Sequence, residues 1–167
     1  MRKIAFYLFM TVAVALCLCS CKSKEKLVAD YNATIVEIGA QGTAVIKAWG
    51  ISSSIKNAKE EAKRNAVRAI LFKGFPSSAN VNSTDLRPMI TDPNAEQIHK
   101  EYFEQFFKKD GKYLQFVQFA DETGKIATGD MVRKGSQYKV GMVVIVNKNN
   151  LRRELENAGI IKKFGIN

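Results

Sequence analysis

Eighteen residues from Ile55 to Phe72 contain neither proline nor glycine, and the apolar residues that recur at helical spacing are mostly alanine. Ser52, Ser53 and Ser54 stand just before them and offer hydroxyls to cap the free amides of a first helical turn. Ile55, Ala58, Ala62, Ala66, Ala69 and Ile70 recur at spacings of three or four, which predicts a helix with one apolar stripe. Side chains that small let a helix axis lie close on a sheet. The opposite face carries Lys56, Lys59, Glu60, Lys63, Arg64 and Arg68, with Glu60 and Arg64 as an i,i+4 pair of favourable order. Lys73 and Gly74 then supply a cation and a left-handed cap to end the helix.

Strand patterns flank this helix on both sides. Thr34–Ile38 and Thr43–Trp49 are β-branched and apolar runs separated by Gly39-Ala40-Gln41-Gly42, a hairpin signal. In the second run Val45, Lys47 and Trp49 fall on one face and Ala44, Ile46 and Ala48 on the other, so a central strand covered on both sides is expected. Tyr113–Ala120 alternates as a strand, Asp121-Glu122-Thr123-Gly124 reads as a turn, and Thr128–Arg133 gives a further strand. Lys134-Gly135-Ser136 forms a hairpin loop into Gln137–Asn147, the most apolar run of the later chain and the expected central strand. A short helix follows Asn147 or Asn149, with Leu151 and Leu155 inward, and stops at Gly159. The pattern predicts an α+β fold: a mostly antiparallel sheet of four or five strands, two longer helices and a short C-terminal helix.

The second long helix is expected over 95–109, after Asp92 or Asn94. Ile98, Tyr102 and Phe106 form one row and His99, Phe103 and Phe107 the next, and burial against the sheet accounts for so many rings. A stacking platform for a ligand is the sharper alternative. Between the helices, 75–93 is a long loop dense in Pro, Ser, Asn and Asp, and a loop of this length is either a recognition element or an insertion without a partner.

The N-terminus has the order of a secretory signal: Arg2 and Lys3, an apolar segment from Ile4 to about Leu18, then small residues. Leu18-Cys19-Ser20-Cys21 resembles the lipobox of bacterial lipoproteins, with Leu at minus three and a small residue at minus one. That resemblance implies cleavage before Cys21 and its modification by a diacylglyceryl group and an amide-linked acyl chain of the palmitate kind. Cys17 and Cys19 would place Leu at minus one and fit worse. An uncleaved membrane anchor is the alternative, but the seventeen residues Ile4–Ser20 fall short of the roughly 20 that span a hydrocarbon core. The expected organisation is a signal peptide at 1–20, a tether at 21–33, and one domain at 34–167.

Processing would remove Cys17 and Cys19 and block Cys21, leaving no free thiol for catalysis, a disulfide or a cysteine-ligated metal. It would also take Arg2 and Lys3 from the 26 basic residues and none of the 16 acidic ones, leaving a charge of +8 on 147 residues. Such a surface suits anionic headgroups or acidic glycans, and equally plain solubility; export argues against nucleic acid. His99 is the only histidine, and no nucleophile elbow, phosphate loop or paired-carboxylate motif is present. No catalytic residue, metal or cofactor is expected.

Gly42–Gly50, Ala58–Val67, Ile70–Gly74 and Leu151–Gly165 resemble a family of small uncharacterised lipoproteins of Bacteroidetes type. They are more distantly similar to small secreted lipoproteins and to the amino-terminal domain of flagellar assembly protein T. The resemblance implies an α+β module for envelope assembly contacts, and its matching positions are structural glycines, alanines and apolar residues. The chain is therefore expected to be a non-catalytic protein of the cell envelope, at the outer membrane, held by lipid on Cys21 and binding an envelope protein or an acidic ligand. Trp49, Lys56, Lys59, Lys63, Arg64, Asp85 and Arg87 are the candidate binding residues. The competing expectation is an envelope hydrolase or glycan-binding enzyme using a groove beside the aromatic helix 95–109.

Overall fold

A computed structural model describes residues 33–76 and 86–163. The expected signal peptide, Cys21, nearly all of the tether and Asp85 lie outside the described residues. Strand β1 (Ala33–Ile38) turns through a 3-10 segment at Ala40–Gly42 into β2 (Thr43–Ser52). Helix α1 (Ile55–Arg68) follows, then α2 (Ala95–Ile98), α3 (Lys100–Phe107) and a 3-10 segment at Lys112–Phe116. Strands β3 (Val117–Phe119), β4 (Met131–Lys134) and β5 (Gln137–Asn147) complete the sheet, and α4 (Lys148–Asn157) follows them. The fold is α+β, with five antiparallel strands.

The apolar run 137–147 takes the place its sequence demands. β5 pairs with β2 along ten residues on one side, while β3 and β4 share its other side end to end, β4 opposite Gln137–Val140 and β3 opposite Val144–Val146. β1 pairs with the outer side of β2 and carries a bulge between Ile35 and Glu37. Alternation then sorts the side chains. Ala44, Ile46 and Ala48 of β2 and Val140, Met142, Val144 and Val146 of β5 are buried in one core with α1, the aromatic residues of α3 and Leu151 and Leu155 of α4.

Gly50 sets the height of α1 over this sheet. A Cβ there would run into the carbonyl oxygen of Ala58 and the amide nitrogen of Ala62, so the helix backbone rests directly on the strand. Ala58, Ala62 and Ala66 are fully buried beneath it. Ser54 caps the helix by accepting from the Asn57 amide at 3.2 Å. Asn65, the one buried polar residue among those described, donates from Nδ2 to the Trp49 carbonyl at 2.8 Å and ties the helix to β2.

Four expectations are corrected. The first helix stops being α-helical at Arg68 and widens into a π-turn over Ala69–Lys73, which turns three consecutive residues, Ala69, Ile70 and Leu71, into the core. The helix at 95–109 breaks at His99; Ala95 enters the core and Glu96 pairs with Arg68 at 2.7 Å, holding α2 at its own angle and leaving Ile98 64% exposed. Tyr113–Phe116 is a 3-10 segment, not strand, because Tyr113 and Phe116 must both reach the rings of Phe107 and Phe106, at 5.9 and 6.0 Å. A period of three puts them on one side; a strand would put them on opposite sides. Finally, β2 is central, but no described helix covers its Val45, Lys47 and Trp49 face.

Candidate functional site

The basic face of α1 is largely engaged inside the molecule. Lys59 donates to the Gly124 carbonyl at 2.7 Å, fastening the helix to the turn after β3. Lys63 pairs with Glu60 at 3.2 Å and lies over the Phe119 ring at 4.0 Å. Arg64 pairs with Glu61 and stacks on Tyr113, while Arg68 stacks on Phe107 at 4.5 Å. These long side chains cover aromatic surface with their stems and present their charges at the edge. Burial pushes the Tyr113 hydroxyl up in pKa, and the Arg64 charge works against that shift.

Two clefts border this helix. One, of about 650 Å³, is lined by Lys56, Asn57, Glu60, Lys63 and Arg64 on one wall and by Lys109, Asp110, Tyr113 and Leu114 on the other. Four cations face two carboxylates there. Lys56 and Lys109 have no charged partner among the described residues, and the buried Nε of Arg64 has no hydrogen-bond partner. The left-handed backbone of Asp110, at φ 56°, turns the chain so that Lys109 reaches this wall. Lys56, Lys63 and Arg64 are thus brought together as the sequence suggests, whereas Lys59 points away from the cleft to Gly124.

The other cleft, of about 730 Å³, runs beside α3 and lies between α1 and the α2–α3 pair, with no strand residue in its lining. Its three glutamates are each matched to a cation: Glu61 to Arg64, Glu96 to Arg68 at 2.7 Å, and Glu104 to Lys100 at 3.7 Å. The rings of α3 serve the core, with Phe103, Phe106 and Phe107 buried and Tyr102 half-buried. Tyr102 donates to Glu154, which also holds Lys112, so the ring fixes α4 against α3; burial, and then Glu154, raise the pKa of its hydroxyl. Among the described residues no three His, Cys, Asp or Glu side chains gather as they would around a metal ion, and no helix is long and apolar enough to cross a membrane.

Trp49 lies on the other side of the sheet from α1. Its ring covers Gly141, its cross-strand partner, with ring atoms about 3.0 Å from where a Cβ would stand. Lys47 and Lys139 flank the ring at 5.5 and 5.4 Å from its centre, and Lys47 pairs with Asp130 at 2.7 Å. Lys139 and Gly141 are not visible as neighbours of Trp49 until the β2–β5 register is known, nor is Asp130 as the partner of Lys47 until the chain is folded. Lys109 and Tyr113 were equally hidden, because their side of the cleft depends on the left-handed turn at Asp110. Arg87 is exposed beside the Phe75–Leu86 bridge and lines neither cleft. Thr43 and Ser54 are used locally, Thr43 donating to the Ala40 carbonyl at 2.8 Å.

No protein-family model, curated protein or solved structure matches this chain.

Proposed function

We propose that the chain is a non-catalytic, lipid-anchored protein of the cell envelope, held at the outer membrane through Cys21, whose domain binds an acidic ligand or an acidic partner surface. The supporting observation is the convergence of Lys56, Lys63, Arg64 and Lys109 on one cleft assembled from two separate elements. A cleft with more cations than carboxylates favours an anion by summed potential and by direct hydrogen bonds from its ammonium and guanidinium groups. The signal-like order of the N-terminus and the lipobox-like Leu18-Cys19-Ser20-Cys21 support the placement.

The test uses the full chain purified from membranes, with native mass spectrometry to read any retained anion. An acidic species bound to the wild type and lost from Lys56→Glu and Lys109→Glu is the expected result. These two lysines are exposed and make no internal ion pair, so their reversal leaves the fold intact, unlike reversal of Lys63 or Arg64. Identical spectra for wild type and both variants would refute the assignment of this cleft.

A further inference from the structure

The sheet face opposite α1 combines apolar side chains, one tryptophan and lysines. Val45, Trp49 and Ile51 of β2, Val143 and Ile145 of β5 and Val132 of β4 share this face by register, and Val132 is 49% exposed. None of the described helices packs on it; α1, α3 and α4 all bury their apolar residues in the core on the other side. We propose that this face docks flat on the anionic bilayer that carries the chain's own lipid anchor, a reading that rests on lipidation at Cys21.

Three observations converge on that occupant. The chain enters the sheet at Ala33, and Thr34, the next residue, stands opposite Lys47 on the open face. Residues 22–32 separate Ala33 from Cys21 and span no more than about 40 Å fully extended, so an acylated Cys21 keeps this edge of the sheet at the membrane. The chemistry suits the boundary between water and lipid: an indole prefers the interfacial layer, aliphatic side chains prefer its apolar side, and lysine stems lie along apolar surface with their ammonium groups at the headgroups. Charge agrees as well. Lys47 and Lys139 bracket the ring, Asp130 pairs with Lys47, Glu37 stands on the same face opposite Val45 at the β1 edge, and Lys139, beside the ring, has no carboxylate partner among the described residues. The face therefore meets an anionic leaflet with an uncompensated cation beside its aromatic anchor. In this pose the Lys56–Lys109 cleft points away from the membrane, open to a ligand.

Trp49 is the only tryptophan in the chain, so its fluorescence reports this face alone. The lipidated full chain is reconstituted into phosphatidylcholine vesicles with and without phosphatidylglycerol, and with brominated acyl chains as quenchers. Expected are a blue shift and bromine quenching of Trp49 that deepen with phosphatidylglycerol. Lys139→Gln should lower the docked-to-undocked ratio by roughly 5-fold, the effect of one lysine near an anionic surface, and Lys109→Gln should leave it unchanged. Circular dichroism confirms that both variants fold. Quenching that ignores phosphatidylglycerol, or that responds to Lys109→Gln and not to Lys139→Gln, overturns the proposal. So does a Trp49 shielded from both bromine and aqueous acrylamide, the sign of a protein partner or second copy on the face. Mass spectrometry reads the anchor separately: glyceride on Cys21 with Trp49 unquenched overturns the docking face alone, whereas its absence removes the shared premise.

Discussion

Replacing Gly50 by alanine adds one methyl group where the backbone of α1 leaves no room. The added Cβ would come within 3.0 Å of three atoms, the Ala58 carbonyl oxygen, the Ala62 amide nitrogen and the Glu61 Cβ, whereas ordinary contact begins at 3.4 Å. Two of the three are helix backbone, so no rotamer change relieves them, and α1 must retreat by about 1 Å, enough to forfeit up to half the dispersion energy of the contacts it opens. Ala44, Ile46, Ala48, Ala58, Ala62 and Ala66, all fully buried, lie along that seam. Overpacking costs about 1–3 kcal/mol, and a clash with backbone belongs at the upper end. The loss of unfolded-state freedom returns about 0.4–1 kcal/mol. The net is a loss of about 2 kcal/mol, which at roughly 2–4 °C per kcal/mol lowers the melting temperature by about 4–8 °C. Thermal denaturation followed by far-UV circular dichroism measures it. Ala62→Gly in the same chain should rescue nothing, since the blocking atom is the amide nitrogen, and should add its own helix cost of about 1 kcal/mol. A Gly50→Ala protein that melts at or above the wild-type temperature would refute the close-packing argument.

Asn65→Asp replaces the Nδ2 donor to the Trp49 carbonyl with a carboxylate oxygen in a buried site, and should cost about 1–3 kcal/mol in urea unfolding at neutral pH. Lowering the pH should recover part of that loss, because a protonated carboxyl donates again. Phe106→Ala removes a ring 2% exposed that stacks on Tyr102 and Phe116, and should cost about 3–5 kcal/mol by the same measurement. The Tyr102 hydroxyl has its folded-state pKa raised above its ordinary 10.0 by burial and by Glu154. Its contribution is thus intact below pH 10 and is lost above it, where the unfolded chain gives up the proton first. Stability should fall on raising the pH beyond 10, and Tyr102→Phe should make that fall shallower; an unaltered slope would remove Tyr102 from the account.

The parts of this fold that were legible in the sequence are those fixed by local pattern. β5, the hairpin into it and the Ala stripe of α1 follow from alternation, turn residues and caps, and α4 begins at Asn147, whose side chain accepts from the Asn150 amide at 3.0 Å. What was hidden depends on contacts distant in sequence. Tyr113–Phe116 alternates like a strand, yet two rings of α3 draw Tyr113 and Phe116 to one side. The binding residues divide the same way. The cations of α1 were visible as a face, but Lys63 and Arg64 spend part of their chemistry on Phe119 and Tyr113, and only the folded chain brings Lys109 opposite them. The setting of Trp49 over Gly141 between two lysines is likewise a product of strand register.

Phe75 and Leu86 exchange two backbone hydrogen bonds, at 2.7 and 3.0 Å, and Met89 and Ile90 donate to the carbonyls of Ile70 and Leu71. The Phe75–Leu86 bridge is thereby a stem stitched to the end of α1. Doubling the number of residues it closes off would cost only about 0.6 kcal/mol of closure entropy, so an insertion or tag placed there should leave the stem, and the register of the molecule around it, as they are.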